Sequence, residues 1–258
     1  MFWLKSQTLR FFSFAIRQSE SLFKIVILRS FEWLIETTTP DGKTKFYPTE
    51  KFSWALDVES RWREIRRELD ELIKHKEKIP NFQIVSPLQY FLTKDDDWKV
   101  YFFYMYGYRV EKNCQACPKT AQVLKMIPNM KTAFFSILGP KKHLREHRGP
   151  YKGVLRYHLG LKIPEPKESC KIRIGKESAH WEEGKSLIFD DSFPHEVWNN
   201  ADSHRIILFV DFLRPLPFPW SALNRIIIKL FSLSSYIQTM RKNQKIWDDQ
   251  TLDGSQGC

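Results

Sequence analysis

The stretch Gly153-Val154-Leu155-Arg156-Tyr157-His158-Leu159-Gly160-Leu161 decides the fold. A strand sends successive side chains to opposite faces. Leu155, Tyr157, Leu159 and Leu161 therefore share one face, and Val154, Arg156, His158 and Gly160 the other. The first face is wholly apolar. The second carries an Arg and a His from a strand that should be largely buried, and an unpaired buried guanidinium is costly, so a partner anion is expected. Other short apolar runs occupy residues 100–108, 133–138, 172–174, 186–189 and 206–210. Gly139-Pro140, Gly149-Pro150, Pro164-Glu165-Pro166, Gly175 and Glu183-Gly184 separate them. Many short strands with frequent turns imply a sandwich or jelly roll rather than a parallel α/β sheet.

Upstream the period changes. Val58, Trp62, Ile65, Leu69, Leu72 and Ile73 recur at helical spacing, with charges between them, until Pro80 ends the run. The expected architecture is α+β, a jelly-roll core with N-terminal helices packed on it and a C-terminal amphipathic helix. Its divisions are an N-terminal amphipathic segment (1–40), a central domain (41–215) and a basic amphipathic tail (216–258).

Composition sets outer bounds. Hydrophobic residues at 42% and aromatics at 15% exclude a disordered chain, and four Cys in 258 residues exclude a disulfide scaffold. The longest uncharged stretch, residues 79–93, is interrupted by Pro80 and Pro87 and is too short to span a bilayer. Arg10 and Arg17 inside the apolar start make a poor signal peptide, which fits a reduced, cytosol-facing protein. The net charge of +11 is uneven. Residues 212–247 hold Arg214, Arg225, Lys229, Arg241, Lys242 and Lys245 and no acid, interleaved with Trp220, Leu223, Ile226, Ile227, Ile228, Leu230, Phe231 and Ile237. Such a segment fits peripheral contact with an anionic membrane face, and equally a helix packed on the core with its charges wetted. Residues 1–35 repeat the pattern more weakly. No nucleic-acid-binding motif accompanies the basicity, so nucleic acid is not expected as a partner.

The polar residues within the strands carry the chemistry. Taken alone, Arg156 reads as a salt bridge to Asp190 or Asp191, and Arg205, opening the run Ile206-Ile207-Leu208-Phe209-Val210, as one to Asp202. His147, in Glu146-His147-Arg148-Gly149-Pro150, and His195, in Asp190-Asp191-Ser192-Phe193-Pro194-His195-Glu196, frame strands with inward cations. Two neutral imidazoles there could bind ferrous iron or zinc. Ser136 shares a strand face with Phe134 and Leu138, so its hydroxyl needs a partner. Cys114 and Cys117 form a single CxxC with no second pair, His143 lies four residues before His147, and His75, His180 and His204 read as surface or edge residues.

At these residues the sequence resembles the aspartyl/asparaginyl β-hydroxylase family of iron(II)- and 2-oxoglutarate-dependent dioxygenases. The resemblance runs over about residues 81–215. It is carried by Phe135-Ser136-Ile137-Leu138, His147-Arg148-Gly149-Pro150, Leu155-Arg156-Tyr157-His158-Leu159-Gly160-Leu161, Trp181-Glu182-Glu183-Gly184-Lys185 and Phe189-Asp190-Asp191-Ser192-Phe193-Pro194-His195-Glu196-Val197-Trp198. It implies a double-stranded β-helix core in which His147 and His195 bind Fe(II). Arg156 and His158 would hold the chelating end of 2-oxoglutarate, and Arg205, with Ser136, its distal carboxylate. O2 is the co-reactant. Most enzymes of this chemistry carry an acid two residues after the first His; Gly149 stands there, matching the two-His habit of this family and leaving a position for water or, in a halogenating relative, a halide.

The implied reaction is hydroxylation of an unactivated carbon, first the β-carbon of an aspartyl or asparaginyl side chain. The alternative is an acyl chain of a membrane lipid such as lipid A or an ornithine lipid, which the basic, apolar arms favour. A zinc-dependent hydrolase and a non-catalytic metal-binding module are the readings from other classes. The expected location is cytoplasmic, with peripheral attachment to the inner face of a membrane if the arms dock there.

Overall fold

The computed structural model describes residue 26 and residues 28–253, without the side chains of 251–253. The chain divides into two compact units, residues 1–43 and 44–258. The N-terminal arm expected over residues 1–40 lies mostly outside the described residues. Its described end is a helix, α1 (residues 28–38), which stops where the Thr39 N–H and hydroxyl both donate to Ile35 O, at 3.2 and 2.7 Å.

In the second unit the helices are α2 (Ser53–Ser60), α3 (Trp62–Leu72), α4 (Phe82–Val85), α5 (Glu111–Ala116), α6 (Pro118–Leu124), α7 (Trp220–Ser232) and α8 (Ser235–Asp253). The strands are β1 (Phe46–Tyr47), β2 (Trp98–Met105), β3 (Tyr108–Arg109), β4 (Met130–Leu138), β5 (Lys142–His147), β6 (Val154–Lys162), β7 (Cys170–Ile174), β8 (Glu177–His180), β9 (Ser186–Phe189), β10 (His195–Asn199) and β11 (Arg205–Leu213). They form a seven-stranded sheet, β1-β9-β6-β11-β4-β2-β3, and a four-stranded one, β5-β10-β7-β8, with antiparallel ladders throughout.

The two faces of the large sheet are buried against different things, and period two sorts the residues between them. Leu155, Tyr157, Leu159 and Leu161 of β6, with Ile206, Leu208 and Val210 of β11, pack against Ala55, Val58, Ile65 and Leu69 of α2 and α3. The alternate residues of the same sheet, Phe134, Leu138, Ile207 and Phe209, face Leu144, Ile172, Ile174 and Val197 of the small sheet. The helical period read upstream thus covers the outside of the large sheet, and the inside forms the interior of the jelly roll. This is an α+β protein with a double-stranded β-helix core.

Gly160 marks a crossing. A Cβ there would stand 2.1 Å from Glu182 O, and Gly160 exchanges main-chain bonds with Lys185 and Gly184. Only a bare backbone lets residues 182–185 cross β6 so closely, and that crossing carries Trp181 inside.

One C-terminal amphipathic helix was expected; there are two. Ser234 breaks the run, its hydroxyl accepting from Ile237 N at 3.4 Å, an N-cap in the sense that serine favours. Ile237 and Met240 of α8 are buried in the inner core, Tyr236 Oη bonds Ser86 Oγ at 2.7 Å, and Asn224 of α7 donates to Gly153 O at 2.7 Å. Packing on the core is therefore realised for this arm.

Candidate active site

The register of β5 with β10 sets His147 opposite His195, and their ring centroids come to 4.1 Å. His147 Nδ1 lies 2.8 Å from Arg145 O and His195 Nδ1 3.0 Å from Phe193 O. A carbonyl only accepts, so each Nδ1 carries the proton and each Nε2 keeps its lone pair. Burial, and next the neighbouring His195, holds the pKa of His147 down to about 3; burial and then Arg156 hold His195 to about 4. Two neutral imidazoles, each with a lone pair on Nε2, stand side by side.

His158 projects from β6 into the same space. Its Nδ1 accepts from Trp181 Nε1 at 3.2 Å, which leaves the proton on Nε2, and that nitrogen is buried with no hydrogen-bond partner. Burial, then the charges of Arg156 and Arg205, push its pKa well below the ordinary value, so the ring is a neutral donor aimed into the site. Arg205, only 2% exposed, lies over the Trp181 ring at 4.6 Å, and its Nε and Nη1 have no partner. The bridge to Asp202 does not form; Asp202 pairs with Lys141 at 2.9 Å instead. Burial without a counter-charge pulls the Arg205 guanidinium down to about 10. Ser136, buried as its strand face required, accepts from Trp98 Nε1 at 3.0 Å, which leaves its own proton to donate.

Arg156 differs. Its Nη2 stands 2.7 Å from Asp191 Oδ2, and its Nε donates to Asp211 Oδ1 at 3.0 Å. Of the two acids expected, Asp191 is the partner; Asp190 instead joins Lys152 and Arg214. Asp211 was not anticipated, because only the register of β6 with β11 brings it opposite Arg156.

Ser136, His147, Arg156, His158, His195 and Arg205 all line one small cavity of about 40 Å³ between the sheets. A larger cavity of about 390 Å³ adjoins it, with His147, Arg156, Trp98 and Phe209 in both walls. Its lining is mainly apolar: Phe82, Leu88, Phe91, Leu92, Phe102, Phe134, Phe231 and Met240. Phe91, 64% exposed, stands at its mouth with its ring 6.5 Å from that of His147. Among the described residues no three His, Cys, Asp or Glu form a group that could hold a metal ion. The space a side chain at 149 would take is not open: its Cβ would meet Asp191 Oδ2 at 2.1 Å.

Other candidates fall elsewhere. His143 is on a strand rather than a helix, stacked on Trp198 and 2.7 Å from Glu196. Cys114 and Cys117 are buried free thiols, with burial raising the pKa of Cys117 to about 12. Trp98 and Trp181, which orient Ser136 and His158, were missed as site residues; their indole N–H groups had no partner legible in sequence.

Three imidazoles held neutral acquire protons only when the chain unfolds. Their folded pKa values lie below that of an exposed imidazole, near 6.5. The stability they contribute is therefore whole above pH about 6.5 and is lost as the pH falls toward 4. Metal-free protein is expected to melt at progressively lower temperature across that window. His158→Phe should flatten the slope by about one proton, roughly 1.4 kcal/mol per pH unit. Calorimetry at stepped pH checks this, and an unchanged slope would refute the neutral assignment of His158.

A jelly roll holding paired neutral imidazoles and an unsatisfied buried guanidinium between its sheets defines the class as a double-stranded β-helix enzyme. The family model described as Aspartyl/Asparaginyl beta-hydroxylase matches residues 59–215, and the chain belongs to that family of hydroxylases. It is 41% identical over 207 residues to an ornithine lipid ester-linked acyl 2-hydroxylase of Rhizobium tropici, covering 80% of this chain and 74% of that one. It is 44% identical over 129 residues to the aspartyl/asparaginyl beta-hydroxylase of Homo sapiens, covering 48% of this chain and 17% of that one. Among solved structures, a Pseudomonas putida prolyl-4-hydroxylase aligns with a TM-score of 0.40 at 15% identity, over 60% of this chain and 88% of that one.

Proposed function

We propose that this protein is an Fe(II)- and 2-oxoglutarate-dependent dioxygenase that hydroxylates an acyl chain of a membrane amphiphile, of the ornithine-lipid kind. The observation that carries the reading is a mainly apolar cavity adjoining two neutral imidazoles, backed by a buried guanidinium that lacks an anion. His147 and His195 would hold the iron through Nε2, nitrogen donors that suit it. Arg205 would take the distal carboxylate of 2-oxoglutarate with two parallel bonds, helped by the Ser136 hydroxyl. The His158 Nε2 proton would meet the other carboxylate, with Arg156 beside it, its charge held in place by Asp191 and Asp211. When bound, iron with 2-oxoglutarate and O2 supplies the oxidising power; the chain's part is to orient these groups and exclude water.

The substrate assignment puts the lipid ahead of the aspartyl side chain that the family name suggests. Burying an aspartyl carboxylate among Phe82, Phe91, Phe134 and Phe209 costs its hydration, whereas an acyl chain gains roughly 0.8 kcal/mol for each CH2 removed from water. The similarity to the Rhizobium tropici lipid hydroxylase over most of both chains supports the same choice. Among the described residues no helix is long and apolar enough to cross a membrane.

The test is incubation with Fe(II), 2-oxoglutarate and O2 in the presence of either an ornithine lipid or an aspartate-containing peptide. Mass spectrometry is expected to find one added oxygen on the acyl chain, with matching succinate. Oxygen added to the peptide alone would give the second reading. Oxygen added to either substrate without any requirement for iron or 2-oxoglutarate would remove both.

A further inference from the structure

The basic, apolar character of the C-terminal arm resolves onto one helix face. At about 100° per residue, Leu223, Ile226, Leu230 and Leu233 form a single stripe along α7, and all four are exposed, Leu230 and Leu233 at 64%. Arg225 and Lys229, both exposed, flank it on one side. On the other side Phe231 turns inward to wall the large cavity. Phe218, 84% exposed, precedes the helix. The cavity mouth continues the same character, with Leu88, Tyr90 and Phe91 exposed on the turn Pro87–Phe91, which the Ser86–Tyr236 bond ties to the start of α8.

A contiguous exposed apolar stripe is a liability in water unless something covers it. The cover here must be apolar at the stripe and anionic at its flank, because the flank carries the exposed Arg225 and Lys229 and residues 212–247 hold no acid to answer them. We propose that α7 is a docking helix that lies in the plane of an anionic bilayer, with the Leu223–Ile226–Leu230–Leu233 stripe among the acyl chains and Arg225 and Lys229 at the phosphates. For the substrate this docking would serve, the inference rests on the lipid reading above: with Phe231 and Phe91 at its edge, the cavity would open at the bilayer surface, and an acyl chain could enter without crossing water. A second copy of this chain would also cover apolar area, but it would set cation against cation at the flank.

The experiment uses the full chain and vesicles of phosphatidylglycerol with phosphatidylcholine, against phosphatidylcholine alone. Wild type is expected to co-sediment with the anionic vesicles and weakly with the neutral ones. Ile226→Asp with Leu230→Asp should reduce the bound fraction more than about tenfold. Arg225→Ala and Lys229→Ala should each reduce it about fivefold, on anionic vesicles only. An environment-sensitive fluorophore on Leu233→Cys, in a Cys258→Ser background, should shift to the blue on binding. Undiminished sedimentation of the double Asp variant, or an unshifted probe on vesicle-bound protein, would overturn the proposal by placing the contact elsewhere. So would a stripe-dependent dimer in sedimentation velocity with no vesicle binding. Hydroxylation of detergent-dispersed lipid separates the two readings: docking without any hydroxylation defeats the function alone, and hydroxylation with stripe-independent binding defeats the docking alone.

Discussion

Replacing His147 or His195 by alanine is expected to abolish 2-oxoglutarate turnover and iron binding together. Each ring is fixed by one bond from Nδ1 to a carbonyl, so its one free nitrogen has a single use. Loss of a partner that merely orients a metal ligand costs 10–100-fold in affinity or activity, and loss of the ligand itself costs more, here above about a hundredfold. If the two imidazoles are the ligands, a single nitrogen would remain, since among the described residues no group of three His, Cys, Asp or Glu could hold the ion. His143→Ala is the control: the same residue type on the same strand, occupied with Trp198 and Glu196, is expected to leave both quantities unchanged. Equilibrium dialysis for iron and coupled succinate formation measure the pair of effects. A His147 or His195 variant that keeps full iron content and full turnover would sink the assignment.

Arg205→Met carries a sharper signature, because two effects should run in opposite directions. In the protein without ligand, the guanidinium is buried with two nitrogens unsatisfied, a cost to folding that a methionine of similar length does not bear. Methionine sulfur also packs well on an aromatic ring, and Trp181 is there to receive it. The unliganded variant is expected to melt no lower than wild type, and higher if the charge is as isolated as the structure has it. Affinity for 2-oxoglutarate moves the other way. Two hydrogen bonds to a charged group, at roughly 1.5–3 kcal/mol each, amount to a hundredfold or more. Adding 2-oxoglutarate should raise the melting temperature of wild type and leave the variant where it was. If the variant melts several degrees lower and binds the cosubstrate normally, Arg205 is a structural residue.

Much of this could be read from the sequence because period two is rigid. Once residues 153–161 were a strand, Arg156 and His158 had to share a face and Leu155, Tyr157 and Leu159 the opposite one, and the two cores divide along that line. The partners of those residues depend on register, which adjacent residues do not specify. Asp211 is 55 positions from Arg156 and meets it across a ladder, while Asp202, three positions from Arg205, turns outward to Lys141. Proximity in sequence misled in the second case and was silent in the first. The tryptophans escaped notice for a related reason. Trp98 and Trp181 are buried in the inner core; that each N–H also fixes a site residue follows only from where β2 and the crossing at Gly160 put them.

The family match ends at residue 215, yet Phe231, Tyr236 and Met240 wall the large cavity. Residues beyond the matched stretch thus complete a wall that Phe82, Phe91, Phe102 and Phe134 begin within it. If the substrate is an acyl chain as proposed, swapping the last two helices between relatives would reshape that part of its wall and leave His147 and His195 where they are.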